Sequence, residues 1–252
     1  MKNEGASFLL ALQFLTRLPV RSDGFYSNAR MAAAIRYYPL VGMLVGSVSA
    51  SVFLVSEIVF PHAIAVILAI AGGLLLTGAF HEDGLADTFD GVGGGLTRET
   101  TLLIMRDSRL GTYGSIALIV ALALKVGALV AFDLALVPAA LIAGHGLSRV
   151  SSVLVIATSR YVRDEGAGKP VADGASWVSL FVTLATGLAI AAAWCVLQSP
   201  IAFAWAFAGL VAGHILMRLV FEPKLGGYTG DTLGAVQQTS EIGFYLGLVA
   251  WL

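Results

Sequence analysis

Cysteine is almost missing from this chain: its 252 residues contain one, Cys195. A single thiol excludes an intrachain disulfide, and its expected role is that of a small buried apolar group. No Cys/His spacing of a zinc site occurs, and neither a phosphate-binding Walker loop nor a nucleophile elbow is present. Charge is scarce as well. Asp, Glu, Lys and Arg supply 12% of the residues, against 58% hydrophobic residues and a mean hydropathy of +0.86. Soluble domains carry about a quarter charged residues, so a water-soluble fold is excluded although the length alone would allow one or two such domains. A net charge of −1 says little by itself about partners, and nucleic acid is not expected among them.

What the chain does have is long uncharged runs. They fall at 37–56, 63–80, 111–124, 134–148 and 174–217. A bilayer core takes about 20 helical residues. The last run is long enough for two helices, with Gln198-Ser199-Pro200 as the turn between them. The reading is an all-α integral membrane protein, one polytopic domain over 1–252, with six spans near 38–60, 63–80, 111–132, 138–158, 176–197 and 201–220. The eleven residues after Glu241 are too few to cross alone. They form a half-span or the end of a longer helix that begins before Glu241, a seventh short C-terminal element. Residues 8–15 are apolar but lack a small-residue cleavage site, so an N-terminal interfacial helix is expected rather than a signal peptide.

Cations fall on alternate connections. Lys2, Arg17, Arg21, Arg30 and Arg36 precede the first span; Arg98, Arg106 and Arg109 follow the second; Arg160, Arg163 and Lys169 follow the fourth; Arg218 and Lys224 end the sixth. The other connections carry neither Lys nor Arg. This positive-inside pattern places the N-terminus and three polar loops in the cytoplasm. A short echo, LIAGHGLSR at 141–149 and LVAGHILMR at 210–218, puts a His four residues before an Arg in each copy and so on one helix face. Chance similarity between Ala/Gly/Leu-rich helices explains it equally well. Small-residue faces such as Gly42, Gly46 and Ala50 suit packing within the chain or between chains, which leaves a homo-oligomer open.

The most informative segment is His81-Glu82-Asp83-Gly84-Leu85-Ala86-Asp87-Thr88-Phe89-Asp90-Gly91, directly after an apolar run. Four carboxylates in nine residues at the mouth of a span repel one another and lose solvation unless a cation neutralises them. Asp83, Asp87 and Asp90 share one face if the segment is helical. Carboxylates so grouped suit Mg²⁺, which takes a few of them together with phosphate oxygens and water. Downstream, Asp107 can add a ligand, and the planar forks of Arg106 and Arg109 suit phosphate. Plain interfacial anchoring by Arg is the competing explanation. In the last loop, Gly226, Gly227 and Gly230 permit close backbone approach to an anion, and Asp231 is a further ligand or a base. The 160–169 loop could receive an anionic substrate, though anchoring explains its cations nearly as well. Arg149, deep in a span, needs a partner and is grouped with the loop glycines as a substrate-binding candidate. Lys125 could snorkel or pair structurally, and His145 and His214 are helix-contact histidines first.

Taken together, FLLALQFLTRLP at 8–19, YPLVG at 38–42, HEDGLADTFDG at 81–91, MRDSRLGTYG at 105–114 and GGYTGDTLGA at 226–235 resemble the cobalamin synthase family of adenosylcobinamide-GDP ribazoletransferases. The resemblance covers nearly the whole chain, and its two middle acidic motifs are specific in order and separation. The 237–241 stretch departs from the pattern, where more acid is expected, and Glu241 receives no role. The resemblance implies a Mg²⁺-dependent membrane transferase. It would move the adenosylcobinamide phosphoryl group from adenosylcobinamide-GDP to α-ribazole or its 5′-phosphate, releasing GMP. On that expectation Asp83, Asp87, Asp90 and Asp107 hold the metal, Arg106 and Arg109 stabilise phosphate charge, and Asp231 or Glu82 acts as base. A CDP-alcohol phosphotransferase is the nearest rival, because Asp87-Thr88-Phe89-Asp90-Gly91 matches its Asp-x-x-Asp-Gly motif; Val92-Gly93-Gly94-Gly95 then breaks that pattern. A transporter is the non-enzyme alternative, but acids gathered at one face rather than at mid-membrane favour an enzyme.

Overall fold

The computed structural model describes residues 2–22, 24–163, 169–173 and 176–252. The described residues form twelve α-helices and one short 3-10 turn. In chain order they are α1 (Lys2–Leu15), α2 (Asn28–Ala34), α3 (Tyr38–Glu57), α4 (His62–Thr77), α5 (Phe80–Gly94), α6 (Arg98–Ile104), α7 (Thr112–Val130), α8 (Leu136–Thr158), α9 (Lys169–Asp173), α10 (Trp177–Leu197), α11 (Pro200–Leu225) and α12 (Gly230–Trp251). Five stretches of helix are long and apolar enough to cross a membrane, and six if the bent pair α4–α5 is one span. This agrees with the six spans expected.

Local chemistry sets the boundaries. Ser199 caps α11 by accepting from the Ala202 N–H, and Pro200 occupies the first turn, where a missing N–H does no harm. Ser176 caps α10 through the Ser179 N–H. Thr229 and Thr232 form a reciprocal capping box at the start of α12. That helix runs 22 residues to Trp251, about 33 Å at 1.5 Å per residue. The C-terminal segment is therefore the end of a helix that begins before Glu241, the second of the two alternatives.

Two expectations about loops are corrected. The first acidic segment is not a loop but helix α5, and the third loop closes after four residues, Gly226 to Thr229, with Gly230 and Asp231 already in the first turn of α12. At the α4–α5 junction Gly78 and Ala79 both take left-handed backbone, φ 66° and 56°. The two helices meet at 88°. That turn lays α5, with its acids, across the end of the bundle where α12 begins.

Close backbone crossings pack the rest. Gly209 and Gly213 of α11 lie against the backbone of Gly243 and Thr239 of α12, and Gly247 against that of Trp205. These are pairs of small residues four apart on facing helices, the spacing that lets membrane helices approach. Gly42 and Gly46 of α3 pack in the same way on α8; a Cβ on Gly46 would stand 2.5 Å from the Leu141 carbonyl oxygen. That small-residue face is used within the chain. Helix α12 sits among α11, α5, α8 and α7.

Candidate active site at the mouth of the bundle

Helix α5 meets the start of α12 at two glycines. A Cβ on Gly84 would lie 2.6 Å from the Asp231 carbonyl oxygen, and one on Gly234 would lie 3.0 Å from that of His81. Gly84 is thus the contact point of two helices. The crossing carries Asp83 and Asp87 toward Asp231. Asp83 and Asp231 line one cavity of about 200 Å³ together with Arg149, Ser152, Arg163 and Gly230. Asp87, half-buried beside it, has its pKa pushed up to about 7, first by burial and then by the negative charges of Asp231 and Asp83, with Arg163 pulling the other way.

Arg163 arrives from the loop after α8. A parallel bridge joins that loop to the α11–α12 turn: the Tyr228 N–H donates to the Arg160 carbonyl at 2.8 Å, and the Val162 N–H to the Tyr228 carbonyl at 3.0 Å. Gly227 lies directly on the Arg160 carbonyl, where no side chain fits, and Gly226 ends α11 with φ 70°. These loop glycines therefore set the approach of two chain segments. The result is an Arg163–Asp231 ion pair at 2.6 Å, with a second contact from Arg163 to the Met105 carbonyl at 3.4 Å. Sequence reading gave Arg163 only a weak role, because a loop cation is also what membrane anchoring produces. Residues 164–168 of that loop lie outside the described residues.

The remaining candidates are distributed differently. The buried Asp90 carboxylate accepts from the Gly111 N–H at 2.7 Å and the Gly114 N–H at 2.8 Å. It caps α7, whose own N-cap residue, Gly111, has no side chain to offer. Asp107 and Arg109 pair with each other at an exposed position, through the Arg109 Nε at 3.0 Å, and the Arg holds the Asp pKa down to about 2. Arg106 is exposed beside them. Glu82 turns away from Asp231 toward Lys125, 3.7 Å distant. Asp90→Ala should thus act on stability: losing two charge-assisted hydrogen bonds costs about 3 kcal/mol, read as a lower apparent Tm of the detergent-solubilised protein. An unchanged Tm would remove the cap role.

Behind the cavity lies a second polar group inside the bundle. Lys125 Nζ is 3.0 Å from Glu241 Oε1, and His145 Nδ1 is 3.4 Å from Glu241 Oε2. Glu241 accepts from Gln237 Nε2 at 2.7 Å and from the Tyr245 hydroxyl at 3.1 Å. Arg149 donates to the His145 carbonyl at 2.8 Å. His81 and Arg149 line both this group's cavity, of about 20 Å³, and the larger one. In both copies of the His-to-Arg spacing the two side chains share a helix face: Arg149 Nη1 lies 3.4 Å from His145 Nδ1, and Arg218 Nη1 lies 3.4 Å from His214 Nε2.

An all-helical bundle with helices long and apolar enough to span a membrane, and a cavity where two carboxylates face two arginines, suits a membrane enzyme. The family follows from comparison. A model described as Cobalamin-5-phosphate synthase matches residues 7–249, and the chain belongs to that family, which acts in cobalamin biosynthesis. Named relatives agree. The adenosylcobinamide-GDP ribazoletransferase of Shewanella frigidimarina (strain NCIMB 400) is 44% identical, covering 96% of this chain and 94% of its own. Those of Shewanella amazonensis (strain ATCC BAA-1098 / SB2B) and Leptothrix cholodnii (strain ATCC 51168 / LMG 8142 / SP-6) are each 43% identical, covering 98% of this chain and 96% of theirs. No solved structure gives a significant match.

Proposed function

We propose that the chain transfers the adenosylcobinamide phosphoryl group from adenosylcobinamide-GDP to a ribose hydroxyl that is free in both α-ribazole and its 5′-phosphate, with GMP leaving, in a Mg²⁺-dependent reaction at the cytoplasmic face of an inner membrane. The observation that carries this reading is the convergence of Asp83, Asp87 and Asp231 beside Arg163. The resident donors are carboxylate oxygens, the type Mg²⁺ prefers. Among the described residues no three His, Cys, Asp or Glu side chains stand close enough to share a metal ion. Mg²⁺ does not need three, since one or two carboxylates with substrate phosphates and water complete its shell. Two of Asp83, Asp87 and Asp231 would hold it, and bound there it would supply charge neutralisation on the pyrophosphate. The raised Asp87 pKa fits this assignment, because burial first and the neighbouring carboxylates second disfavour its charge, and a divalent cation offsets both.

The protein's own groups cover the rest of the transfer. Arg163 stands between Asp231 and the Met105 carbonyl, where a guanidinium can pass from its carboxylate to a substrate phosphate oxygen. The acceptor oxygen forms its bond to the adenosylcobinamide phosphorus as the bond to the GMP oxygen breaks. The hydroxyl proton goes to a carboxylate oxygen of Asp231. The crowding of Arg98, Arg106, Arg109, Arg160, Arg163, Arg218 and Lys224 at this end supports its cytoplasmic placement. The test is GMP release by purified protein with adenosylcobinamide-GDP, α-ribazole and Mg²⁺, beside a CDP-alcohol substrate as control. Asp87→Asn should lower turnover at least about a hundredfold, as expected for lost charge stabilisation of several kcal/mol. Full Mg²⁺-dependent turnover in that variant would end the metal assignment, and no GMP from folded wild-type protein would end the transferase reading.

A further inference from the structure

The cavity that holds Asp83 and Asp231 has two unlike ends. One end is polar, with Asp83, Arg163 and Asp231. The other is aromatic and apolar, formed by Phe14 and Leu15 of α1, Tyr38 of α3 and Phe80 of α5. Phe14 stacks on Tyr38 with ring centroids 6.1 Å apart and meets Phe80 edge-on at 5.4 Å. The Tyr38 ring is 4% exposed, and its hydroxyl is buried with no hydrogen-bond partner. A buried hydroxyl without a partner is unfavourable, and Tyr38 is among the residues that line the cavity. It asks for one acceptor atom on a flat apolar ligand.

We infer that this cavity is the seat of the benzimidazole nucleoside acceptor, an assignment that rests on the transferase reading above. The ring lies among Phe14, Tyr38 and Phe80, and the ribose reaches Asp83 and Asp231. The chemistry of the substrates selects the occupant. A benzimidazole bonded to ribose through one nitrogen keeps a single free ring nitrogen, an acceptor with no N–H of its own. It matches the single Tyr38 hydroxyl, and its hydrocarbon edge matches the aromatic wall. A guanine edge carries several donors and acceptors, which the apolar end would leave unpaired. A corrin macrocycle does not enter about 200 Å³. The ring position also explains the use of α1. Phe80 opens the acidic helix, so a nucleoside clamped by Phe14 and Phe80 presents its ribose to the carboxylates three residues further on and across on α12. The N-terminal helix is thereby part of the acceptor site and not only a membrane contact.

The experiment measures α-ribazole binding by calorimetry to the full-length protein in lipid nanodiscs, without donor, and separately the KM for each substrate. Tyr38→Phe keeps the ring and removes the hydroxyl, and should weaken α-ribazole binding about threefold to tenfold, as expected for one hydrogen bond. Phe14→Ala should weaken it about tenfold or more through lost ring contact. In both, the KM for α-ribazole rises and that for adenosylcobinamide-GDP does not. Guanosine should fail to compete. Unchanged α-ribazole affinity in Tyr38→Phe, or a rise confined to the KM for adenosylcobinamide-GDP, overturns the assignment, and Tyr38→Phe decides it even if Phe14→Ala does not fold. Wild-type protein that binds α-ribazole through Tyr38 yet releases no GMP supports the pocket and refutes the transfer, so the two readings fail separately.

Discussion

Lys125→Met is expected to be among the most destabilising single changes in the protein. Lys125 is 3% exposed and Glu241 is 1% exposed, and their charged atoms lie 3.0 Å apart, with Glu82 at 3.7 Å on the other side. One ammonium thus serves two carboxylates inside the bundle. Charges at such depth are tolerated only in pairs. Methionine has nearly the length and volume of the lysine stem, so packing is kept and the charge alone is lost. Glu241 retains Gln237 and Tyr245 as donors, but hydrogen bonds from neutral groups do not replace the counter-charge. Breaking a buried pair costs about 3–5 kcal/mol, and for a chain of this size that corresponds to an apparent Tm lower by about 10 °C. The double change Lys125→Met/Glu241→Gln removes both charges of the tighter pair and should recover part of the loss, because Glu241 is no longer an unpaired buried charge while Glu82 still lacks its ammonium. A Tm in the single variant within a degree of wild type would show that the cluster carries no folding energy.

The same cluster marks the limit of what the sequence disclosed. The apolar runs were legible because spanning helices must satisfy their backbone internally and face lipid. The acidic stretch was legible because carboxylates at a membrane mouth are anomalous. Lys125 was visible as an anomaly too, but its partner was not: Glu241 lies 116 residues away along the numbering, and only the crossing of α7 with α12 brings them together. Arg163 was hidden for the opposite reason, being one loop cation among several until the Tyr161–Tyr228 bridge set it on Asp231. Asp90 was grouped with Asp83 and Asp87 by helical spacing, and spacing places it on their face. It does not reveal that the N-terminus of α7, whose own cap residue is a glycine, takes up that carboxylate. The acidic helix itself passed for a loop because Gly84 and Gly91 weaken helix propensity. The reason for glycine at 84 lies in a helix about 150 residues later.

That reason leads to the change with the largest expected effect on activity. Gly84→Val should lower turnover by a hundredfold or more in protein that still folds. At this point α5 rests on the backbone of α12, and a Cβ would lie 2.6 Å from the Asp231 carbonyl oxygen and 3.0 Å from its Cα. Backbone cannot rotate aside as a long side chain can, so the helices must part. A separation of about 1 Å carries Asp83 and Asp87 away from Asp231, and misplacements of that size cost about a hundredfold where reacting groups must be held together. The rest of α12 is fixed independently by its glycine contacts with α11 through Gly209, Gly213 and Gly247, so the bundle should survive a local opening at its mouth. Gly234→Ala offers the graded comparison. Its Cβ would meet the His81 carbonyl at 3.0 Å and the His81 Cα at 3.2 Å, a smaller conflict on the same crossing, and its loss of turnover should be correspondingly smaller. Turnover measured beside far-ultraviolet circular dichroism and apparent Tm separates misplacement from unfolding. Wild-type turnover in Gly84→Val would mean that the carboxylates of α5 and α12 do not work as one site. The metal assignment rests on that convergence and would fall with it.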